Sequence, residues 1–155
     1  MTRIELFTTI NAPAERCFDV ARNVDVHLLS TAKTNEKAVA GRTTGLCELN
    51  DEITWEATHF GIRQRLKVKI TKLERPFFFE DIMLKGVFKS MRHEHHFEAQ
   101  GDITIMKDIF LYEVPFGIAG KLFNYLFLKR HMVKLLLERN KVLKEVAERI
   151  YKHAE

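Results

Sequence analysis

The sequence predicts an α+β fold: an antiparallel sheet of about seven strands, two short helices after the first strand, and one long C-terminal helix. Three observations carry this. Apolar and polar residues alternate with period two through most of residues 2–114. Two tight-turn signals, Phe60-Gly61 and Gly101-Asp102, each bring two apolar strand faces into register. After Pro115 and Gly117 the spacing changes to that of a helix and stays so to about Tyr151.

The elements follow in order. Ile4, Leu6, Thr8 and Ile10 alternate with Arg3, Glu5, Phe7 and Thr9 in a first strand. Asn11 offers a helix cap and Pro13 sits in the first turn, where its missing N–H costs nothing. The short helix that follows buries Phe18 with Val20 or Ala21, and a second one over Asp25 to about Ala32 turns Val26 and Leu29 inward. Lys37–Ala40 is a short strand, and the loop through Gly41 and Gly45 is turn-rich. The Phe60-Gly61 turn pairs His59 with Ile62 and Trp55 with Leu66, leaving Arg63, Arg65, Lys67 and Lys69 on a solvated outer face. Phe77–Lys85 is a strand whose faces the run of three phenylalanines leaves unassigned. In the last hairpin, strands 87–99 and 103–114 set Phe97 opposite Met106, His95 opposite Asp108, His93 opposite Phe110 and Met91 opposite Tyr112. In the C-terminal helix Ile118, Leu122, Tyr125, Leu126, Met132 or Val133, Leu136, Leu143, Ala147 and Ile150 form an apolar stripe. From Glu138 onward the helix reads as an ordinary surface helix. Phe123, Phe127 and Leu128 lie off the stripe, as a lid, a dimer face or a membrane-touching patch, or simply packed on the N-terminal helices.

The bulk numbers exclude several classes. With 155 residues, 46% apolar and 30% charged, the chain is read as one globular domain over 1–155. A net charge of +4 on scattered basic residues, without a basic stripe or stacking motif, argues against nucleic acid. MTRIELFTTI has neither the apolar stretch nor the cleavage site of a signal peptide, and no uncharged apolar run reaches the roughly 20 residues of a spanning helix. Cys17 and Cys47 match no metal or redox spacing and are read as reduced thiols. The expected location is the cytoplasm.

The densest chemistry lies in MRHEHHFEA, residues 91–99. On a strand His93 and His95 share one face and His96 takes the other, so this stretch alone cannot supply three ligands to one ion, and no metal or cofactor is expected. The hairpin register places a carboxylate, Asp108, beside one of the two inward histidines; a buried histidine needs such a partner.

Five stretches resemble the START-like, polyketide-cyclase-like (SRPBCC) superfamily, in particular its small bacterial members: INAPAERCFDV after the first strand, EITWEATHFG at the first hairpin, RPFFFEDIMLKGVFKSMRHEHHFEA across the middle strands, GDITIMKDIFLYEVPFG at the last hairpin and LLLERNKVLK near the end. The resemblance covers nearly the whole chain. It implies the helix-grip fold, in which the sheet curls around the long C-terminal helix and leaves an apolar cavity between them. It implies binding of a small hydrophobic molecule such as a lipid, polyketide or quinone. The expected ligand-binding set is Trp55, His59, Leu66, Met91, His93, His95, Phe97, Met106, Asp108, Phe110, Tyr112, Leu122 and Leu126. Two other readings stand beside it: a cyclase, aromatase or dehydratase using His93 or His95 with Asp108, and a regulatory or chaperone-like module acting through protein partners. Expected partners are the small ligand, with peripheral membrane contact or a homodimer at the apolar helix patch.

Overall fold

A computed structural model describes residues 1–153, with side chains through Arg149. Seven antiparallel strands form one curled sheet: β1 (Thr2–Ile10), β2 (Lys37–Gly41), β3 (Glu52–His59), β4 (Ile62–Glu74), β5 (Phe78–Lys85), β6 (Ser90–Gln100) and β7 (Ile103–Glu113), in the order β1-β7-β6-β5-β4-β3-β2. Helices α1 (Ala14–Ala21) and α2 (Val24–Ser30) link β1 to β2. The C-terminal segment runs from α3 (Gly117–Phe123) through one π-helical turn (Asn124–Leu128) into α4 (Lys129–His153).

Both hairpins have the register their turns predict. His59 faces Ile62 and Trp55 faces Leu66. Phe60 and Gly61 both take positive φ, 51° and 73°, which is what a two-residue turn matched to strand twist requires. In the β6–β7 hairpin Gln100 faces Ile103, His95 faces Asp108 and Met91 faces Tyr112, with Gly101 at φ 62°. Between β4 and β5 the register shifts twice, at Lys67/Val68 and at Ile70/Lys72. Such bulges bend a strand and deepen the curl of the sheet.

Several local expectations are corrected. Asn11 does not cap α1, whose N-cap is Pro13 without a side-chain bond. Asn23 is the capping residue, its Oδ1 accepting from the N–H groups of Asp25 and Val26 at 2.9 and 3.2 Å at the start of α2. Leu29 is exposed rather than inward. β6 starts at Ser90, so Val87 lies in the connection before it. Ile118, Leu122, Tyr125 and Leu126 are exposed. The inward positions of this segment are Gly120, Asn124 and Leu128, followed by Met132 and Leu136, so its inner face is small or polar until Leu128 and its large apolar side chains stand on the outer faces. Phe123 and Phe127 are exposed, whereas Leu128 packs against the core. Nor is the helix after Glu138 merely superficial, because Arg139, Asn140, Leu143 and Ala147 are buried. Ile150 falls outside the residues whose side chains are described.

The interior has two apolar clusters with a polar layer between them. One gathers Ile10, Cys17, Phe18, Phe79, Phe97, Met106, Leu143 and Ala147. The other gathers Ile4, Val24, Ile53, Val68, Ile70, Met91, Phe110, Tyr112 and Leu136. Along β6 the order is Met91, His93, His95, Phe97; along β7, Met106, Asp108, Phe110; along α4, Leu136, Arg139, Asn140, Leu143. All three elements cross from one cluster to the other through buried polar residues. Cys17 and Cys47 are buried and unbridged; burial pushes the Cys47 thiol up to about 12, which leaves it unreactive.

Candidate functional site

The polar layer is organised around one carboxylate. Asp108 is almost completely buried. Its Oδ1 accepts from His93 Nε2 at 3.0 Å and Arg139 Nη1 at 3.2 Å, and lies 3.0 Å from His95 Nδ1. Its Oδ2 accepts from Asn140 Nδ2 at 2.7 Å. Burial alone would raise the Asp108 pKa. The Arg139 charge and the two histidines reverse this and hold it well below the ordinary carboxylate value. Position decides these contacts. Asp108 and His95 are direct partners across the β6–β7 hairpin, His93 shares their face two residues away, and Arg139 and Asn140 descend from α4 one turn after Leu136.

A second carboxylate comes from β5. Asp81 is the direct partner of His93 across β5–β6, and its Oδ2 accepts from His95 Nε2 at 3.2 Å. Here too burial raises the pKa, but the His95 hydrogen bond and the charges of His93, His95 and Arg139 bring it below normal. The Phe79 ring stacks on His95 at 4.1 Å and 14°, which fixes the imidazole plane. His93 behaves differently: burial, and after it the neighbouring His95, lower its pKa to about 4. It is therefore neutral at pH 7. With its Nε2–H donated to Asp108, its other nitrogen has no hydrogen-bond partner among the described residues. His96 points outward to Glu94 at 3.0 Å.

Above this layer, between the concave sheet and α4, lies a pocket of about 410 Å³. Its walls are Trp55, Ala57, Leu66, Val68, Met91, Phe110, Met132 and Leu136, and its polar end is Asp81, His93, His95 and Arg139. Trp55 lies against the His27 ring, with centroids 4.2 Å apart and the planes tilted by 32°. The exposed lining residues Phe60, Ile62, Phe116 and Phe123 mark the mouth. There His59 Nδ1 meets His131 Nε2 at 3.0 Å, and Phe60 contacts both Phe123 and His131.

Of the residues expected to bind a ligand, Trp55, His59, Leu66, Met91, His93, His95 and Phe110 line this pocket. Phe97 and Met106 lie beyond the polar layer, in the cluster around Phe18. Asp108 sits behind the histidines and reaches the pocket through them. Tyr112 is buried and donates its hydroxyl proton to Asn124 Oδ1 at 2.6 Å. Leu122 and Leu126 face solvent. Sequence reasoning missed Asp81, Arg139, Asn140, His27 and His131. For Arg139 and Asn140 a signal existed: they fall three and four residues after Leu136, on the inward face. Asp81 had none, because its strand offered no readable face.

Neither a protein-family model nor a curated protein matches the chain. Solved structures do. TTHA0849 from Thermus thermophilus superposes with a TM-score of 0.77 at 19% identity, over 94% of this chain and 97% of that one. A START superfamily protein from Mycobacterium smegmatis gives 0.72 at 12% identity, over 96% and 98%. The Zhui aromatase/cyclase from Streptomyces sp. R1128 gives 0.68 at 12% identity, over 96% and 94%. At such identities the common property is the backbone architecture. The curled seven-stranded sheet, the paired short helices and the long C-terminal helix give this chain the START-like, SRPBCC-type helix-grip fold.

Proposed function

We propose that the protein binds a small apolar molecule in the pocket, with a carbonyl or hydroxyl of the ligand seated against His93, Asp81 and Arg139. The observation that carries this is the pairing of apolar walls with one polar end in about 410 Å³ of space, within the range of small-molecule sites. Lipids, quinones and polyketides all have this chemistry. The sole tryptophan of the chain, Trp55, stands on the pocket wall and is a built-in reporter. Titration with 1-anilinonaphthalene-8-sulfonate should give saturable energy transfer from Trp55, competed by palmitate and lost in Ala57→Phe, which projects a ring into the pocket. Transfer that never saturates, or that ignores Ala57→Phe in a protein with a native melt, argues against ligand binding there.

A second reading is supported by one observation: a neutral His93, oriented by buried Asp108, with its other nitrogen uncommitted at the pocket wall. This is the arrangement of a general acid–base pair, and a cyclase- or dehydratase-type reaction on the bound molecule would use it. Turnover lost in His93→Ala while the Trp55 titration persists would favour the enzyme over the carrier.

The mouth supports a further element of the same reading. Residues 114–137 contain no Asp or Glu but carry Lys121, Lys129, Arg130 and Lys134. Phe116, Ile118 and Tyr125 are 85%, 86% and 79% exposed. An apolar knob ringed by cations complements an anionic bilayer surface, into which an apolar cargo passes from the mouth without crossing water. No helix among the described residues is long and apolar enough to cross a membrane, so the contact would be peripheral.

A further inference from the structure

We propose that Asp81, His93 and His95 form a binding site for one divalent transition-metal ion, zinc or iron(II), at the polar end of the pocket. The three residues each offer one donor atom, and these atoms all lie within 4.8 Å of one another. Histidine and carboxylate donors at that separation close around an ion of this class with small side-chain rotations. The spacing within residues 91–99 supplies only two of the ligands. The third arrives across the sheet, because β5 sets Asp81 directly opposite His93.

The surroundings are those of a metal site rather than of three chance neighbours. A metal-bound imidazole uses one nitrogen for the ion and donates the other N–H to a carboxylate or carbonyl. Asp108 Oδ1 stands 3.0 Å from Nε2 of His93 and 3.0 Å from Nδ1 of His95, so a single carboxylate serves both rings. Arg139 and Asn140 fix that carboxylate from behind, and Phe79 fixes the plane of His95. Without an ion, His95 Nε2–H is donated to Asp81 Oδ2 at 3.2 Å. The ion would replace that bridging proton, which leaves to solvent, while Nδ1 keeps its proton and faces Asp108. The charges also allow it. Once the ion has displaced that bridging proton, the two carboxylates outweigh the Arg139 guanidinium, so the ligand layer carries one negative charge in excess toward a dication. Three protein ligands leave a coordination position open, and Asp81, His93 and His95 all line the pocket, so that position faces the space where a small molecule would bind. Imidazole nitrogens select this class of ion over calcium and magnesium, which take oxygen ligands.

Metal binding here does not depend on the apolar ligand, and its test is separate from the Trp55 titration. The full-length protein is stripped with a chelator, dialysed, and titrated by calorimetry with Zn²⁺ and by visible spectroscopy with Co²⁺. The expected result is one equivalent bound, with a Co²⁺ spectrum of nitrogen and oxygen ligation and release of a proton seen as a buffer-dependent heat. His93→Ala, His95→Ala and Asp81→Asn should each weaken binding by about 100-fold or more, and Asp108→Asn by about 10- to 100-fold, as removal of an orienting carboxylate does. Glu94→Gln, on the opposite face of β6, should leave binding unchanged. Thermal melts confirm that each variant is folded, and Asp81→Asn, at the pocket edge, is the variant that perturbs the interior least. Absence of stoichiometric binding by the native protein would overturn the proposal. So would binding that survives both Asp81→Asn and His95→Ala, since the ion would then sit elsewhere.

Discussion

Asp108→Ala is the perturbation that most directly probes how the interior is held together. The side chain of Asp108 is 1% exposed and that of Arg139 is 7% exposed. Removing the carboxylate leaves the Arg139 guanidinium buried without its closest counter-ion and deprives His93 and Asn140 of their acceptor. Breaking a buried ion pair by deleting one partner costs about 3–5 kcal/mol, a large part of the roughly 5–15 kcal/mol by which a domain is stable. Glu94→Ala is the matched control. Its partners Arg92 and His96, at 3.2 and 3.0 Å, are on the outer face, and such pairs are worth less than about 1 kcal/mol. Urea denaturation followed by far-UV circular dichroism, with the slope held constant across variants, measures the difference. Should Asp108→Ala prove too unstable to study, Asp108→Asn keeps the volume and one acceptor and should fall between. The decisive measurement is the cycle with Arg139→Met. Once Asp108 is gone, removing the stranded cation should cost far less than it does in the native background, a coupling of about 2 kcal/mol or more. His95→Ala on top of Asp108→Ala should likewise add less than it does alone. A cycle that closes additively within about 0.5 kcal/mol, or an Asp108→Ala as mild as the Glu94 control, would refute the carboxylate-centred layer.

Three further expectations follow from geometry elsewhere. Ile118→Glu or Tyr125→Glu should reduce co-sedimentation with phosphatidylserine-containing vesicles by roughly 10-fold or more, the equivalent of one large apolar side chain withdrawn from the bilayer; an unchanged vesicle fraction together with a dimer that dissociates in these variants would reassign the patch to self-association. Gly120→Ala should destabilise by ~3 kcal/mol or more, because its Cβ would meet the Pro115 carbonyl oxygen at 1.8 Å, whereas Gly61→Ala, with open space around a φ of +73°, should cost only about 1–2 kcal/mol of backbone strain; equal melting shifts would contradict this. At the mouth, burial lowers the pKa of His59, and burial together with the His59 charge lowers that of His131. The folded protein therefore binds fewer protons than the unfolded chain just below the usual histidine value, so this pair's contribution is complete above about pH 6.5 and is lost as the pH falls through the folded values. NMR titration should find both rings below the ordinary midpoint and His131 moving up in His59→Gln; a normal midpoint for either would count against the close pair.

The sequence by itself determined the pieces in which local pattern and turn chemistry agree. Phe60-Gly61 and Gly101-Asp102 set two registers, because a slip of one residue would turn every side chain to the wrong face. Those registers placed His95 against Asp108 and gathered Trp55, Leu66, Met91 and Phe110 on one surface. The tertiary structure decided what arrives from elements with no such local rule. β5 joins its neighbour β4 through a bulged pairing and opens with consecutive phenylalanines, so only the assembled sheet shows that Phe79 and Asp81 point inward. Arg139 and Asn140 look like surface residues by type and are buried only because the Asp108 carboxylate neutralises the one and accepts from the other across 31 and 32 residues of chain. Leu122, Tyr125 and Leu126 continue an apolar stripe by spacing, yet the face turned to the sheet there belongs to Gly120 and Asn124, and the three stay exposed. Periodicity reports which face of an element is apolar; whether that face meets a sheet or solvent depends on where the rest of the chain stands.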